Sequence, residues 1–303
     1  MKIILATMVK DEVDIIEEWI IYHGKIFGYK NLFIVDNMSS DGTYNICKKY
    51  NSKYGVNIQK HEDYKEKGII MTKIFNENKC DIFFPIDIDE FIIYYNRKKN
   101  KISIKNVNKY IESLLVKKGN EFNYFKCDYL HPKKTINSNN SIKKFNHASL
   151  CDTYGDSRKT FIYNNLNNNL NNNLNNVKID HGNHMASVKY FVCDLCLIHY
   201  HNRSHIQRYK KSINNTLGLG YTINIKKLEN EDKNELEVLK NVFTNKNCPG
   251  GHHPKSLYSL FSGKIKSFEP RLEEIKNNFI DISKIYRFIK ENQQKNQKEN
   301  QQK

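Results

Sequence analysis

The stretch DIFFPIDIDEF (81–91) sets an apolar run directly against a cluster of acids. Its apolar first half has the character of a buried strand, and Asp87, Asp89 and Glu90 follow at once. Asp87 and Asp89 are separated by one residue, so on extended backbone their side chains point to the same face. Such pairs also cap helices and line turns, but acids inside an apolar stretch carry a desolvation cost that folding alone does not explain. We interpret the pair as a site for Mg²⁺ or Mn²⁺, which prefer carboxylate oxygens.

Upstream of this stretch, segments with strand and helix character alternate along the chain. Strands are predicted at Lys2–Val9, Asn31–Val35, Gly55–Gln59 and Asp81–Ile86, and helices at Asp11–Phe27, Thr43–Tyr50 and Met71–Lys79. This alternation is typical of an α/β fold with a mainly parallel central sheet flanked by helices. Ligands of such sheets bind at the carboxyl ends of the strands. Polar clusters stand at three of those ends, namely Lys10-Asp11-Glu12, Asp36-Asn37 and Asp87–Asp89.

A chain of 303 residues is long enough for one large α/β domain with an appended part. We place the main domain at 1–215, where a further strand (Lys189–Ile198) and helix (His205–Asn215) end it. An Asn-rich insertion at 164–176, NNLNNNLNNNLNN, is expected to be flexible because three leucines cannot offset its ordering entropy. A helical C-terminal extension is predicted at 216–290, followed by a disordered tail at 291–303.

Basic residues exceed acidic ones by 16. A basic surface attracts anionic partners such as nucleic acid, lipid headgroups or nucleotide diphosphates, and charge alone does not choose among them. The lysines are spread along the chain rather than concentrated in a stripe with aromatic residues, so nucleic acid is not expected as a partner.

The seven cysteines are odd in number and irregularly spaced, which favours reduced thiols in a reducing compartment. The N-terminus does not resemble a signal peptide, and no segment approaches the ~18 apolar residues of a membrane span. We therefore expect a soluble cytoplasmic protein, with peripheral membrane contact left open. The Asn-rich composition suggests an AT-rich genome. If that genome is viral, the host cytoplasm or the virion is the expected location.

Four blocks in order resemble the glycosyltransferase family 2-like group, close also to family 92, over roughly residues 1–215. They are Met8–Glu12 continuing to Glu18–His23, then Ile34–Thr43, then Asp87–Phe91 as D-x-D-E-F, and finally Ile198–Tyr200 with Arg203, Ser204 and Lys210. One departure is Asp11, where the family commonly has Asn.

The resemblance implies a GT-A fold and a metal-dependent glycosyltransferase of the hexosyltransferase type. Such an enzyme moves a sugar from a nucleotide-diphosphate donor to an acceptor hydroxyl with inversion. A uridine diphosphate sugar is favoured, guanosine diphosphate remains open, and the acceptor is a glycan, glycoprotein or glycolipid. The donor-binding residues it implies are Thr7, Lys10, Glu12, Asp36, Asp41 and Asp87. The implied ligands of Mn²⁺ or Mg²⁺ are Asp87 and Asp89, with a late histidine, His184 or His199, as a further ligand.

An inverting transfer needs a carboxylate to accept the proton of the acceptor hydroxyl. Glu90, beside the acidic pair, is the first candidate for this base. Asp152 and Asp156 are the other candidates, because they precede the basic segment Arg158-Lys159 that borders the expected acceptor cleft.

A zinc site is the alternative interpretation of Cys193 and Cys196 with the nearby histidines. Residues three apart on a strand point to opposite faces, which argues against it. Two further alternatives concern the whole chain. One is a basic nucleic-acid-binding or Mg²⁺-dependent nucleic-acid-processing protein, and the other is an inactive nucleotide-sugar-binding protein.

Overall fold

The structure is a computed structural model that describes residues 1–151, 158–164, 177–185, 188–244, 252–268, 271–274 and 279–301. Its strands are β1 (Ile3–Val9), β2 (Leu32–Asp36), β3 (Asn57–Lys60), β4 (Ile82–Pro85), β5 (Glu90–Asn96), β6 (Lys101–Ser103), β7 (Tyr124–Lys134), β8 (Phe145–Leu150), β9 (Lys159–Tyr163), β10 (Tyr190–His199) and β11 (Ile280–Asp281). Its helices are α1 (Ile16–Phe27), α2 (Thr43–Tyr54), α3 (Lys67–Glu77), α4 (Val107–Lys118), α5 (His205–Gly218), α6 (Ile225–Glu229), α7 (Lys233–Thr244), α8 (His252–Phe261) and α9 (Ser283–Gln301).

The strands form one mixed sheet in the order β3-β2-β1-β4-β9-β7-β10-β5-β6, with β8 and β11 off this path. The first four strands of that order pair in parallel. They are linked by α1, α2 and α3, since neighbouring parallel strands need a crossover connection. The predicted α/β class with a parallel central sheet flanked by helices is confirmed. Beyond β4 the sheet becomes largely antiparallel. Strand β9 pairs antiparallel with both β4 and β7. Strand β10 pairs antiparallel with β5.

The chain divides into two compact units. Unit 1 comprises Met1–Lys60, Glu66–Tyr200 and Leu272–Lys303, and contains the whole sheet. Unit 2 comprises His61–Lys65 and His201–Arg271, with α5 to α8 around a small core that includes Leu239 and Leu257. The predicted helical extension at 216–290 overlaps unit 2 up to residue 271, and the chain returns to unit 1 at 272.

The core of unit 1 includes buried residues of β1 and α1. All seven residues of β1 are buried, as expected for a parallel strand covered on both faces. In α1, Trp19, Tyr22 and His23 are fully buried beside aliphatic residues. The helix ends at Gly28, whose φ of 92° is a conformation that favours glycine and whose N–H donates to the Gly24 carbonyl.

Residues 291–301 of the segment predicted as a disordered tail are helical in the structure, because α9 continues to Gln301. Ile285 and Ile289 are fully buried, and Asn292 and Asn296 continue the same face at helical spacing. Asn292 donates to the Phe288 carbonyl at 2.8 Å. The prediction rested on the position of the segment at the chain terminus, and the structure shows a buried stripe that two hydrogen-bonding asparagines extend.

Two further expectations concern the Asn-rich insertion and membrane-spanning segments. The Asn-rich insertion lies, from 165 to 176, outside the described residues. Among the helices that are described, none combines the length and the apolar character needed to cross a membrane.

Candidate functional site

Three strand ends converge at one edge of the sheet in unit 1. Strand β1 pairs in parallel with both β2 and β4, so the carboxyl ends of the three strands are neighbours. The register sets Val9 opposite Asp36. The Ile86 N–H donates to the Ala6 carbonyl at 3.0 Å, which holds the start of the acidic turn against β1. The three polar clusters predicted for this edge therefore lie together.

The loops after β1 and β2 are tied to each other by side chains. Asp11 has a φ of 53°, a left-handed conformation in which Asp and Asn are enriched. Its carboxylate accepts from the Ser40 N–H at 2.7 Å. Asp41 accepts from the N–H groups of Val13 and Thr43 at 3.1 and 3.0 Å. The left-handed backbone is compatible with Asp11 as well as with the Asn that the family commonly has at this position.

Other predicted donor-binding residues occupy the same pair of loops. The Lys10 ammonium donates to the Asn37 carbonyl at 3.0 Å. The Glu12 N–H donates to the Thr43 hydroxyl at 2.9 Å, and Glu12 is buried. These contacts fix the shape of the edge between the ends of β1 and β2.

Thr7 and Asp36 hold buried oxygen atoms at the ends of neighbouring strands. Both residues are almost fully buried. Asp36 accepts from the Ser39 N–H through Oδ2 at 3.2 Å. Its Oδ1 and the Thr7 Oγ1 have no hydrogen-bond partner within the described part of the chain. Because buried polar atoms are normally hydrogen-bonded, these two oxygens fit a site that a polar ligand completes.

Asp87 lies between two lysines. Lys67, the first residue of α3, approaches one carboxylate oxygen at 2.6 Å, and Lys159 on β9 approaches the other at 2.8 Å. Both ammonium groups are nearly buried, with side chains 6% and 4% exposed. Lys159 also donates to the Gly182 carbonyl at 2.8 Å. Two buried cations at one carboxylate concentrate positive charge at this edge.

Glu90 supports the turn that carries the acidic pair. Its Oε2 accepts from the Asp87 N–H at 2.8 Å, and its Oε1 accepts from the Tyr129 hydroxyl at 3.2 Å. The residue is fully buried, and burial raises the pKa of its carboxyl. Lys159, 3.6 Å from Oε1, opposes that rise.

Asp89 and His199 come together through the register of the antiparallel strands. His199 stands opposite Glu90 in the pairing of β10 with β5. Its Nε2 lies 3.6 Å from the Asp89 Oδ2, close enough for both atoms to share one metal ion. Asp89 is fully buried, and its carbonyl accepts from the Tyr200 N–H at 2.8 Å. A carboxylate oxygen and an imidazole nitrogen are a donor set that suits Mn²⁺ and related divalent ions.

Two further residues were predicted as metal ligands, Asp87 and His184. Among the described residues, the group of ligand atoms close enough to share an ion contains neither Asp87 nor His184. His184 Nδ1 is 3.3 Å from the Arg158 carbonyl, and burial followed by the charge of Lys159 lowers the pKa of this imidazole. The candidate bases Asp152 and Asp156 lie outside the described residues.

The sequence reasoning missed two members of this site, Lys67 and Tyr129. Lys67 begins a helix that had been predicted to start at Met71, and Tyr129 lies on a strand that was not predicted. Neither stands in a motif, and both reach the acidic turn by tertiary packing alone.

Comparison with known proteins gives one relative by sequence and several by structure. No family model matches the chain. A glycosyltransferase family 92 protein of Oryza sativa subsp. japonica is 32% identical over 91 residues, which is 29% of this chain and 15% of the rice protein. This similarity confirms the resemblance drawn from the four blocks. Since the matched segment spans so little of the relative, the activity of that protein remains a proposal for this chain.

Two solved structures align with most of this chain. Residues 1–349 of S. aureus TarS align at 12% identity and a TM-score of 0.40, covering 86% of this chain and 81% of that one. The mannosyltransferase PcManGT from Pyrobaculum calidifontis, in complex with GDP-Man and Mn²⁺, aligns at 10% identity and a TM-score of 0.41, covering 86% and 69%. Because these identities and TM-scores are low, the site assignments rest on the residues of this chain alone.

Proposed function

We propose that the protein is a metal-dependent glycosyltransferase that moves a sugar, of the hexose type, from a nucleotide diphosphate to an acceptor hydroxyl with inversion. The observation that carries this proposal is the convergence of Asp87 and Asp89 with the buried oxygens of Thr7 and Asp36 at one sheet edge. Ligands of parallel sheets bind at that edge. The similarity to a family 92 glycosyltransferase supports the reaction class.

Asp89 and His199 are proposed to hold the divalent cation, Mn²⁺ or Mg²⁺. When bound, such an ion neutralises charge on a departing diphosphate. Asp87 is proposed to face the donor, as the resemblance implies, and its two lysines add positive charge beside it. Lys67 and Lys159 are therefore proposed to attract the diphosphate, with charge-assisted hydrogen bonds as the source of affinity.

Thr7, Lys10, Glu12, Asp36 and Asp41 are proposed to form the base and ribose end of the donor site, because they shape or line the edge between β1 and β2. A uridine diphosphate sugar is the favoured donor. A glycan, glycoprotein or glycolipid is the proposed acceptor.

The test is calorimetric titration of UDP and of GDP into the protein, with Mn²⁺ or with a chelator. We expect one nucleotide to bind only with metal, and Asp89→Asn to weaken it by about a hundredfold through loss of a ligand charge. Glu112→Gln, an exposed acid on α4, is the matched control and should leave binding unchanged. Absence of binding by both nucleotides, with and without metal, would remove the proposal.

Turnover separates an enzyme from an inactive binding protein. A panel of sugar donors with water as the acceptor should release free nucleotide slowly, and the anomer of the released sugar, read by NMR, reports inversion. Tight metal-dependent binding with no release from any donor would favour the inactive alternative.

A further inference from the structure

A cavity of about 230 Å³ lies between α1, α2 and α9 in unit 1. It is lined by Glu17 of α1, by lysines and tyrosines of α2, and by polar residues of α9. None of the residues at the carboxyl edge of the sheet lines it. The cavity is therefore separate from the donor site proposed above.

Two buried polar atoms in its lining have no hydrogen-bond partner within the described part of the chain. They are the Tyr54 hydroxyl and the Asn296 side-chain oxygen. Their positions are fixed, because the Tyr54 ring stacks on Tyr29 at 4.5 Å and the Asn296 amide donates to the Tyr29 hydroxyl at 3.3 Å. A phenol hydroxyl donates and accepts, whereas an amide oxygen accepts. A ligand that carries hydroxyl groups satisfies both atoms.

The charge of the lining points to an anion. Three lysines, Lys49, Lys53 and Lys290, line the cavity together with a single carboxylate, Glu17. The Glu17 Oε1 accepts from the Tyr50 hydroxyl at 3.0 Å and lies 3.5 Å from the Lys49 ammonium. The lining thus contains more basic than acidic side chains, which favours binding of a negatively charged group.

The volume limits the ligand to one small ring. Pockets for drug-sized ligands hold about 300–1,000 Å³, so this cavity suits a monosaccharide rather than a nucleotide. We propose that it is a binding site for an acidic monosaccharide, whose hydroxyls meet Tyr54 and Asn296 and whose phosphate or carboxylate meets the lysines. This proposal does not depend on the proposed transferase activity.

The experiment is titration of the full chain with glucose 6-phosphate, glucuronate, glucose and inorganic phosphate, followed by calorimetry. We expect saturable binding of at least one acidic sugar in the millimolar range or tighter. Glucose and phosphate should each bind about tenfold more weakly, since each lacks one half of the recognition. The two acidic sugars distinguish a phosphate from a carboxylate as the preferred anion.

Variants locate the binding. Tyr54→Phe keeps the stacked ring and removes the hydroxyl, and Lys290→Gln removes one charge, so each should weaken the acidic sugar about fivefold or more. Lys295→Gln, an exposed lysine of α9 outside the lining, is the control for charge, and Asp89→Asn is the control for the carboxyl edge. Both controls should bind as the wild type does.

Three results would overturn the proposal. The first is no saturable binding of either acidic sugar. The second is equal binding of phosphate and the sugar phosphate, which would mean that the hydroxyls contribute nothing. The third is binding that Asp89→Asn abolishes while Tyr54→Phe leaves it intact, which would place the sugar at the carboxyl edge.

Discussion

Glu90 has two candidate roles in the site, that of a general base and that of a positioning residue. It was predicted to be the general base, and that role stays a prediction. In the structure, its two oxygens accept from the Asp87 N–H and from the Tyr129 hydroxyl, and it is fully buried. These contacts describe a positioning residue that holds the acidic turn in shape.

Glu90→Gln tests which role holds. The amide oxygen can still accept from the Asp87 N–H, so a positioning role predicts a loss in kcat below about tenfold. An amide cannot accept the proton as a general base does, so loss of the base would lower kcat by about 10²–10⁴-fold. We expect the smaller loss, measured as donor turnover at saturating acceptor. A loss of the larger size with unchanged donor affinity would return Glu90 to the role of base.

Lys159 gives a second prediction at this scale. Lys159→Met keeps an unbranched side chain, one atom shorter, but removes the charge beside Asp87, so the diphosphate donor should bind about tenfold more weakly. The matched control is Lys101→Met, an exposed lysine at the start of β6, which should not change the affinity. Calorimetry with the preferred nucleotide measures both, and equal affinities for all three proteins would contradict the role given to Lys159.

Site residues that could be predicted from the sequence differ from those that could not in how the fold brings them to the site. Asp87 and Asp89 were predictable because one strand and the residues after it bring them to the edge. His199 was predicted by resemblance, and its place opposite Glu90 depends on an antiparallel register that no local pattern encodes. Lys67 lies 20 residues before Asp87 and touches it only because α3 starts at that edge.

At the scale of elements, α1 carries a histidine in the core. His23 is fully buried, its Nδ1 lies 3.1 Å from the Trp19 carbonyl, and its Nε2 accepts from the Ile92 N–H at 3.3 Å. These partners call for a neutral ring with its proton on Nδ1. Burial lowers the pKa of His23 to about 3.

This histidine predicts a loss of stability in mild acid. Between the unfolded pKa of about 6.5 and the folded pKa, the unfolded chain binds a proton that the native chain excludes, so stability falls as the pH falls below 6.5. From pH 7.5 to pH 5 the loss due to His23 should be about 2 kcal/mol. Urea unfolding of wild type and His23→Gln at both pH values measures it, because all other histidines are common to the two proteins. An equal pH dependence in both would refute the buried neutral ring.

The C-terminal helix α9 gives a prediction that opposes the sequence-based expectation for 291–303. Ending the chain at Lys290 removes the buried side chains of Asn292 and Asn296 and the contact with Tyr29. We expect a loss of about 2 kcal/mol in the free energy of unfolding, from lost hydrogen bonds and packing. A disordered tail would leave the urea midpoint unchanged.

The helices and strands, like the site residues, could be predicted where the signal is local and were missed where it is not. β1 to β4 and α1 to α3 were predicted within a few residues, because apolar periodicity and short crossovers are local signals. The antiparallel strands from β5 to β9 were not predicted. Their partners are distant in sequence, as with β9, which pairs with both β4 and β7, and their polar residues break simple alternation.

For the whole molecule, the excess of 16 positive charges leaves nucleic acid as a competing partner. A protein that binds DNA through phosphate contacts loses about 10³–10⁵ in affinity between 50 and 200 mM salt. Donor binding at the carboxyl edge has a different basis, since Lys67, Lys159 and Asp89 are buried, and buried charges are screened much less by salt than exposed ones.

The salt dependence of binding therefore distinguishes a nucleotide-binding protein from a nucleic-acid-binding protein. We expect binding of the preferred nucleotide with Mn²⁺ to fall by less than about tenfold from 50 to 200 mM salt, while any binding of duplex DNA falls by orders of magnitude. Fluorescence anisotropy of labelled DNA beside calorimetry of the nucleotide measures both on one sample. DNA binding that persists at 200 mM salt and is lost in Asp89→Asn would shift the function toward Mg²⁺-dependent nucleic-acid processing, because a charge-driven surface contact does not depend on a buried metal ligand.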